Sequence, residues 1–262
     1  MQCNMFAQVA EKAIKAPLPK NLTTIHVLCI GMGRWAKDAT RICNLCVENL
    51  RYPQHNVNVL NENGGPTKEE VLRAITMLKQ SGRVGPKDVF IFYFSGHGIR
   101  DNDTFNLCTK GSYLSHKEVI EAVDTLGVER KIFVLDTCYS GGFKMSKTSS
   151  AKRVEIGGTD FTGHGIEAFF TKGITGSLVM TAASAHEKAP VNSAFTQLFI
   201  AACETIIREK ALLHGLTNTK MCVRPLTLFD TMEELRKTTF PEAPAPRISD
   251  VDSLASFPIG PL

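Results

Sequence analysis

Residues 88–98 read D-V-F-I-F-Y-F-S-G-H-G, and this stretch decides the fold of the 262-residue chain. Its uninterrupted apolar run predicts a buried strand over Asp88–Phe94. The run ends abruptly at Ser95-Gly96-His97-Gly98, where the glycines permit tight turns directly after the strand. A reactive imidazole, that of His97, is therefore expected at the carboxyl end of a buried strand.

Strands and helices alternate on both sides of this stretch. Short apolar runs predict four further strands, at Thr24–Ile30, Val57–Leu60, Lys131–Leu135 and Ser177–Ala182. Helical spacing of apolar residues, with capping boxes begun by Thr67 and Ser115, predicts helices over Lys37–Leu50, Thr67–Gln80, Ser115–Leu126, Ser193–Leu213 and Thr231–Thr238. This alternation predicts an α/β fold with a largely parallel sheet covered on both faces. In such sheets the ligand site lies beyond the carboxyl ends of the strands.

The composition is that of an ordinary globular domain and excludes several classes of protein. Hydrophobic residues make up 43% and charged residues 21%, which excludes a disordered chain or a coiled coil. The net charge of +4 is mild, so no nucleic-acid partner is expected, and no apolar stretch is long enough to span a membrane. The eight dispersed cysteines indicate thiols in a reducing compartment. The first twenty residues lack the apolar core of a signal peptide, so we expect a cytoplasmic protein.

Two reactive side chains follow neighbouring strands of the predicted sheet. His97 follows the strand at residues 88–94, and Cys138 follows the strand at residues 131–135. Because only one helix connects these strands, we expect their tips to meet at one edge of the sheet. An imidazole beside a thiol activates it as a nucleophile, and the N–H groups of Gly98 and Cys138 are the expected donors to an oxyanion.

The two motifs that hold these residues resemble those of a known enzyme family. Tyr93–Gly98 and Leu135–Gly142 look like the catalytic motifs of the caspase-like cysteine peptidases, and are most similar to metacaspases and paracaspases. Thr181–Ser184, Phe195-Thr196 and Pro244–Ile259 are similar to later segments of the same family. The resemblance implies a caspase-like fold, a three-layer α/β/α arrangement around a mostly parallel six-stranded sheet. It also implies a cysteine endopeptidase with a Cys-His dyad.

The alternating elements favour one continuous domain, which the resemblance divides into two subunit-like regions. Residues 1–23 are expected to be an N-terminal extension, 24–142 a large-subunit-like catalytic region, 143–173 an intersubunit-like loop and 174–262 a small-subunit-like region. Family members often cleave themselves between such regions. Lys152 and Arg153 are the candidate self-cleavage sites in the loop, although an unprocessed surface loop fits the sequence equally well.

The residues around Cys138 suggest a substrate with a basic P1 side chain. Asp136 stands two residues before Cys138, so both side chains face the same side of an extended strand end. A buried carboxylate there favours Arg or Lys, because the cation compensates its charge. The resemblance assigns Asp136 to the S1 pocket and adds Asp38 and Glu187 as further pocket acids. Asp38 as a first-turn helix acid and Glu187 as a solvated charge are the alternatives, and cleavage after Asp would instead implicate Arg34.

An extended protein or peptide substrate is also expected to pair with backbone near Ala183 and Ser184. Many metacaspases require calcium, but the segment after His97 offers few carboxylates beyond Asp101 and Asp103. Hard cations take six to eight oxygen ligands. We therefore expect calcium-independent activity and no cofactor. The sequence does not distinguish a monomer from a dimer.

Other functions are compatible with parts of the sequence. A caspase-like scaffold without turnover is the main alternative, although both reactive residues are intact. Gly31–Ala36 fits a G-x-G-x-x-A dinucleotide fingerprint, but Trp35 fills the turn and Arg51 stands where an acid is expected. Cys43 and Cys46 lie within a predicted helix and suggest packing rather than a metal pair. Ser140 lies outside the G-x-S-x-G pattern of serine hydrolases.

Overall fold

The computed structural model describes residues 24–102, 104–143, 176–183, 193–214 and 225–249. The strands in these ranges are β1 (Ile25–Gly31), β2 (Val57–Leu60), β3 (Val89–Ser95), β4 (Gly98–Asp101), β5 (Thr104–Thr109), β6 (Ser112–Ser115), β7 (Arg130–Asp136), β8 (Gly176–Thr181) and β9 (Arg247–Ser249). The α-helices are α1 (Ala36–Asn44), α2 (Lys68–Gln80), α3 (His116–Asp124), α4 (Ala194–His214) and α5 (Pro225–Thr238).

The main sheet has six strands in the order β2-β1-β3-β7-β8-β9. Its first five strands are parallel, and β9 pairs antiparallel with β8. The register aligns the carboxyl ends of the central strands: Ser95 on β3 pairs with Gly31 on β1 and with Asp136 on β7. The segments that follow β1, β3 and β7 therefore leave the sheet side by side.

Alternate residues of the central strands enter two core layers, one on each face of the sheet. Val89, Ile91 and Tyr93 of β3 join the layer formed with α1, α4 and α5. Phe90, Phe92 and Phe94 join the opposite layer, formed with α2 and α3. Strands buried on both faces are typical of parallel sheets covered by helices. The predicted three-layer α/β/α fold with a mostly parallel six-stranded sheet is confirmed.

The helix boundaries follow from local chemistry. Thr67 and Ser115 both form the predicted capping boxes, with Glu70 and Glu118 reaching back to the cap backbone. The helix predicted over Lys37–Leu50 is regular only to Asn44 and continues as a π-helical turn over Leu45–Asn49. The start predicted for the last helix at Thr231 is wrong, because α5 begins at Pro225, a residue whose fixed φ suits the first helical turn.

The strands β4, β5 and β6 form a small antiparallel sheet. The sequence patterns predict no element between Gly98 and Ser115, so this sheet was not expected. Its central strand alternates between residues that face the core and residues that face outward, a period-2 pattern typical of a half-buried strand. The inward residues Phe105, Leu107 and Leu114 join the core layer of α2 and α3. This sheet therefore continues directly from His97 and covers one side of the main sheet's carboxyl edge.

The N-terminal extension, most of the loop predicted at 143–173 and the last residues of the chain lie outside the described residues. Phe143, at the start of that loop, is buried against Phe105 and Phe133. None of the described helices has the length and hydrophobicity needed to cross a bilayer. No disulfide joins the cysteines in the described part of the chain.

Candidate active site

The segments that carry His97 and Cys138 run next to each other at the carboxyl edge of the sheet. The Gly96 N–H donates to the Asp136 carbonyl across β3 and β7, at 3.3 Å. A Cβ added to Gly98 would lie 2.5 Å from the Cys138 carbonyl oxygen and 2.4 Å from Thr137 Oγ1. Only glycine permits this approach, which brings the histidine turn against the cysteine turn. His97 is exposed and Cys138 is half-buried.

The Gly98 N–H is oriented away from β5. The Cys108 N–H donates to the His97 carbonyl at 2.9 Å, so His97 and Cys108 form a hydrogen-bonded pair of the antiparallel ladder. Gly98, opposite Leu107, occupies the adjacent non-hydrogen-bonded position, and its N–H is therefore not directed at β5. This orientation is compatible with the predicted role of Gly98 as an oxyanion donor, which stays a prediction.

The His97 ring packs against Trp35, the only tryptophan of the chain. Their ring centroids are 4.6 Å apart at an interplanar angle of 82°, an edge-to-face contact. The Arg34 guanidinium lies 4.4 Å from the Trp35 ring centroid, a cation–π contact. Arg34 is exposed and covers the tryptophan, while Asp38 on the same segment is buried.

The turn after Cys138 is tied to the end of β8. Tyr139 adopts a left-handed conformation, with φ of 57°, immediately after the thiol. The Gly141 N–H donates to the Ala183 carbonyl at 2.8 Å, and the Ala183 N–H donates to Ser140 Oγ at 3.1 Å. Both backbone groups of Ala183 are thus used within the site. The expected pairing of an extended substrate with backbone near Ala183 and Ser184 stays a prediction, because Ser184 lies outside the described residues.

Asp136 and Asp38 lie in one buried polar cluster beneath the cysteine turn. Asp136 Oδ2 accepts hydrogen bonds from the Thr196 N–H at 3.1 Å and from Thr196 Oγ1 at 2.6 Å, at the N-terminus of α4. Asp38 Oδ2 accepts from Ser95 Oγ at 3.0 Å and from Ser193 Oγ at 2.5 Å. Both carboxylates are almost fully buried, and in the described part of the chain no salt bridge reaches either of them.

The charge of Asp38 acts on Asp136. Burial raises the pKa of Asp136 to about 6, Asp38 adds to the rise, and the Thr196 hydrogen bonds oppose it. Tyr93 also belongs to the cluster, since its hydroxyl lies 2.6 Å from Thr196 Oγ1. Burial, followed by the charge of Asp136, raises the pKa of Tyr93 well above its usual value. Among the described residues, no cation is paired with the negative charge of this cluster.

The remaining predicted residues divide into those outside the described residues and those with a packing role. Ser184, Glu187, Lys152 and Arg153 lie outside the described residues. The Gly31–Ala36 turn folds tightly on itself, because a Cβ at Gly31 would lie 2.6 Å from the Trp35 carbonyl oxygen. This close approach accounts for the glycine at position 31 without a bound dinucleotide. Burial raises the pKa of the Cys43 and Cys46 thiols, and the described residues contain no cluster suited to a metal ion.

Several residues of the site were not found by sequence reasoning. Ser193, directly before α4 and far away in sequence, donates a second hydrogen bond to Asp38 Oδ2, and no local pattern indicates this. Trp35 against His97 is likewise a tertiary contact, although a single tryptophan beside a glycine-rich turn is a usable signal. The polar-apolar alternation of β5, followed by the turn at Gly111, would have predicted the hairpin beside His97.

Comparison with known proteins identifies the family. A protein-family model described as Caspase domain matches residues 33–242. The chain therefore belongs to the caspase-domain family of cysteine peptidases. Among solved structures it is similar to caspase-1 from Spodoptera frugiperda, with 13% sequence identity and a TM-score of 0.48 over 90% of this chain and 93% of that one. No curated protein sequence matches this chain at a significant level.

Proposed function

We propose that this caspase-family peptidase is a metacaspase-like endopeptidase that cleaves protein or peptide substrates after Arg or Lys through a dyad of Cys138 and His97. The observation that carries the proposal is the pair of buried carboxylates, Asp136 at the end of β7, two residues before Cys138, and Asp38 in the first turn of α1. Buried charge of one sign is costly, and a cationic side chain placed between the two acids would offset that cost.

The acid pair also has carboxylate oxygens available to accept hydrogen bonds from a cation. The hydrogen bonds that described residues donate to these carboxylates all end on the Oδ2 atoms. Within the described part of the chain, no group donates to either Oδ1. A guanidinium presents several N–H donors in a planar fork, and a lysine ammonium presents three. The P1 side chain would supply donors to the two Oδ1 atoms, while Ser95, Ser193 and Thr196 hold the other oxygens in place.

The reaction begins when His97 removes the thiol proton of Cys138 and the thiolate attacks the scissile carbonyl carbon. The resulting oxyanion is stabilised by the N–H groups of Gly98 and Cys138. The C–N bond then breaks, His97 gives its proton to the leaving amine, and a thioester to Cys138 remains. Water, deprotonated by His97, attacks the thioester, releases the carboxylic acid product and restores the thiol.

The proposal extends to the organisation of the chain. Residues 24–142 supply the nucleophile, the histidine and both acids, and the region after residue 174 supplies Ser193, directly before α4, and Thr196 in its first turn. Cleavage at Lys152 or Arg153 would separate these two regions. Activity is expected in the cytoplasm and without calcium. Glu187 and Ser184 remain candidate substrate contacts.

One panel of peptides tests the proposal. Peptides that differ only at P1 (Arg, Lys, Asp or Asn) are assayed with calcium and with a chelator, using the wild type, Cys138→Ala and His97→Ala. Cleavage after Arg and Lys, abolished in Cys138→Ala and unaffected by the chelator, is the expected result. Cleavage only after Asp would overturn the basic specificity, and equal cleavage by Cys138→Ala would overturn the nucleophile.

A further inference from the structure

An open groove of about 460 Å³ lies beside His97, on the outer face of the small sheet. It is lined by residues that include His97, Ile99, Cys108 and Tyr113, and by Thr109, Gly111 and Ser112 at the β5–β6 turn. None of the functions described above uses Ile99, Cys108 or Tyr113. The groove is nevertheless continuous with the candidate active site, because His97 belongs to both.

The register of the small sheet places its lining residues in a row that begins at His97. The His97 carbonyl accepts from the Cys108 N–H, and Cys108 on β5 is opposite Tyr113 on β6. Cross-strand neighbours are about 5 Å apart, so Tyr113 lies roughly 10 Å from His97, or about three residues of an extended chain. The groove is therefore long enough for the first three residues of a bound peptide.

Most of the exposed lining of the groove is apolar, and its polar side chains are those of His97, Thr109 and Ser112 together with the Tyr113 hydroxyl. Ile99 is partly exposed, and Tyr113 is one of the two most exposed large hydrophobic residues in the described part of the chain, at 58%. Burial, with a smaller contribution from nearby Cys138, raises the pKa of the Cys108 thiol, which keeps it neutral. The Thr109 hydroxyl lies 2.9 Å from the Ser112 carbonyl and 3.1 Å from the Ser112 hydroxyl, so these polar groups satisfy each other.

The groove and the acid pair lie on opposite faces of the main sheet. Asp38 and Thr196 belong to α1 and α4, which cover one face, whereas β5 and β6 pack into the core layer of α2 and α3 on the other. A peptide whose P1 side chain enters the acid pair crosses the carboxyl edge of the sheet between Cys138 and His97. Because His97 protonates the leaving amine, the leaving segment lies on the His97 side.

We propose that this groove binds the substrate residues that follow the scissile bond and favours apolar side chains at P1′ to P3′, with Tyr113 contacting the second or third of them. This inference rests on the proposed peptidase function. It assigns Ile99, Cys108 and Tyr113 to substrate specificity and not to the chemical step.

The test uses peptides that are identical through a P1 arginine and continue as Gly-Leu-Leu, Gly-Ser-Ser or Gly-Asp-Asp. We expect kcat/KM to be about tenfold higher for Gly-Leu-Leu than for Gly-Ser-Ser, and lower still for Gly-Asp-Asp. Tyr113→Ser, and independently Ile99→Ser, should bring the ratio of the first two close to one. Met77→Ser, which removes an equally exposed apolar side chain from α2, is the matched control and should keep the ratio.

A peptide aldehyde that ends at the P1 arginine separates the two levels of the proposal. It forms a hemithioacetal with Cys138 and has no residue for the groove, so its inhibition constant should be equal for the wild type and Tyr113→Ser. Cleavage of all three peptides with a ratio near one in the wild type would overturn the groove while leaving the peptidase intact. Absence of both cleavage and aldehyde binding would overturn the proposed function, and the groove with it.

Discussion

At the scale of single residues, Asp136 links the sequence motif to the charge of the site. It precedes Cys138 by two positions, is buried at the end of β7, and accepts two hydrogen bonds from Thr196. Its pKa is raised to about 6 by burial and by Asp38. A carboxyl group whose pKa lies this close to neutral changes its charge both when the pH falls and when a cation binds beside it.

The charge state of Asp136 should set how strongly the site prefers a basic P1 residue. Citrulline has the shape of arginine without its charge. Titration of the dyad affects both peptides equally, so kcat/KM for P1 arginine divided by kcat/KM for P1 citrulline reports only on the preference for charge. We expect this ratio to fall by up to about tenfold between pH 7.5 and pH 5, as Asp136 with its pKa of about 6 becomes protonated.

Asp136→Asn removes the titrating group and keeps an oxygen that can accept from Thr196. In this variant the ratio should be low and should not change over the same pH range. A wild-type ratio that is constant with pH would contradict the assignment of Asp136 to the pocket. Asp101→Asn, a change of an exposed acid on β4, serves as the control.

The same substitution should increase stability at alkaline pH. Because the pKa of Asp136 is higher in the folded chain than in the unfolded chain, the folded state gains from its protonation, and this stabilisation is lost as the pH rises through about 6. Asp136→Asn should therefore raise the free energy of unfolding at pH 8 by up to about 3 kcal/mol. Urea denaturation at pH 8 and pH 4 measures the effect, which should fall below about 1 kcal/mol at pH 4, close to the usual pKa of an aspartate in the unfolded chain. A loss of stability at pH 8 would contradict it.

At the scale of elements, the turn after Cys138 is held by its bonds to the end of β8. Ser140 is buried and its hydroxyl bridges both backbone groups of Ala183, with Oγ 3.1 Å from the nitrogen and 3.3 Å from the oxygen. We expect Ser140→Ala to lower the free energy of unfolding by about 1–3 kcal/mol, because a buried N–H loses its acceptor. Urea denaturation at pH 7 is the measurement.

Thr238→Ala, which removes an exposed hydroxyl from α5, provides the comparison and should change stability by less than about 0.5 kcal/mol. If Ser140→Ala were as stable as this control, the turn after Cys138 would have to be held by other contacts.

The elements that could be predicted are those whose pattern is local. The apolar run before His97 and the two capping boxes are complete signals within a few residues, and the structure agrees with them. The β4-β5-β6 sheet has an alternating pattern that is only six residues long in β5, and it was not assigned. The bond from Ser193 to Asp38 joins residues 155 positions apart, so no local pattern specifies it.

At the scale of the whole molecule, the proposed site is assembled from both halves of the chain. The first half carries the proposed dyad and both acids, and the start of α4 in the second half holds the acids through Thr196 and the preceding Ser193. Cleavage of the connecting loop would therefore leave two fragments that remain associated through a shared core. The class of fold followed from the sequence, whereas the pairing of the acids required the three-dimensional arrangement.

Self-processing can be detected by intact-mass analysis. Wild type and Cys138→Ala are purified in the same way, and Lys152→Ala/Arg153→Ala is analysed beside them. We expect the wild type to yield two fragments, the first ending at Lys152 or Arg153 and the second beginning at the next residue, because a lysine followed by an arginine between the two regions suits the proposed specificity. Identical masses for wild type and Cys138→Ala would remove self-processing from the account.

The central claim is that Cys138 attacks peptide bonds after a basic residue selected by the acid pair. The most direct test is kcat/KM for two peptides that differ only in arginine or aspartate at P1, measured at pH 7.5 with wild type and Cys138→Ala. We expect the arginine peptide to be preferred by at least about 100-fold in the wild type, since aspartate would place a third negative charge beside Asp38 and Asp136. Neither peptide should be cleaved by Cys138→Ala. A preference for aspartate, or cleavage that survives the loss of the thiol, would contradict the claim.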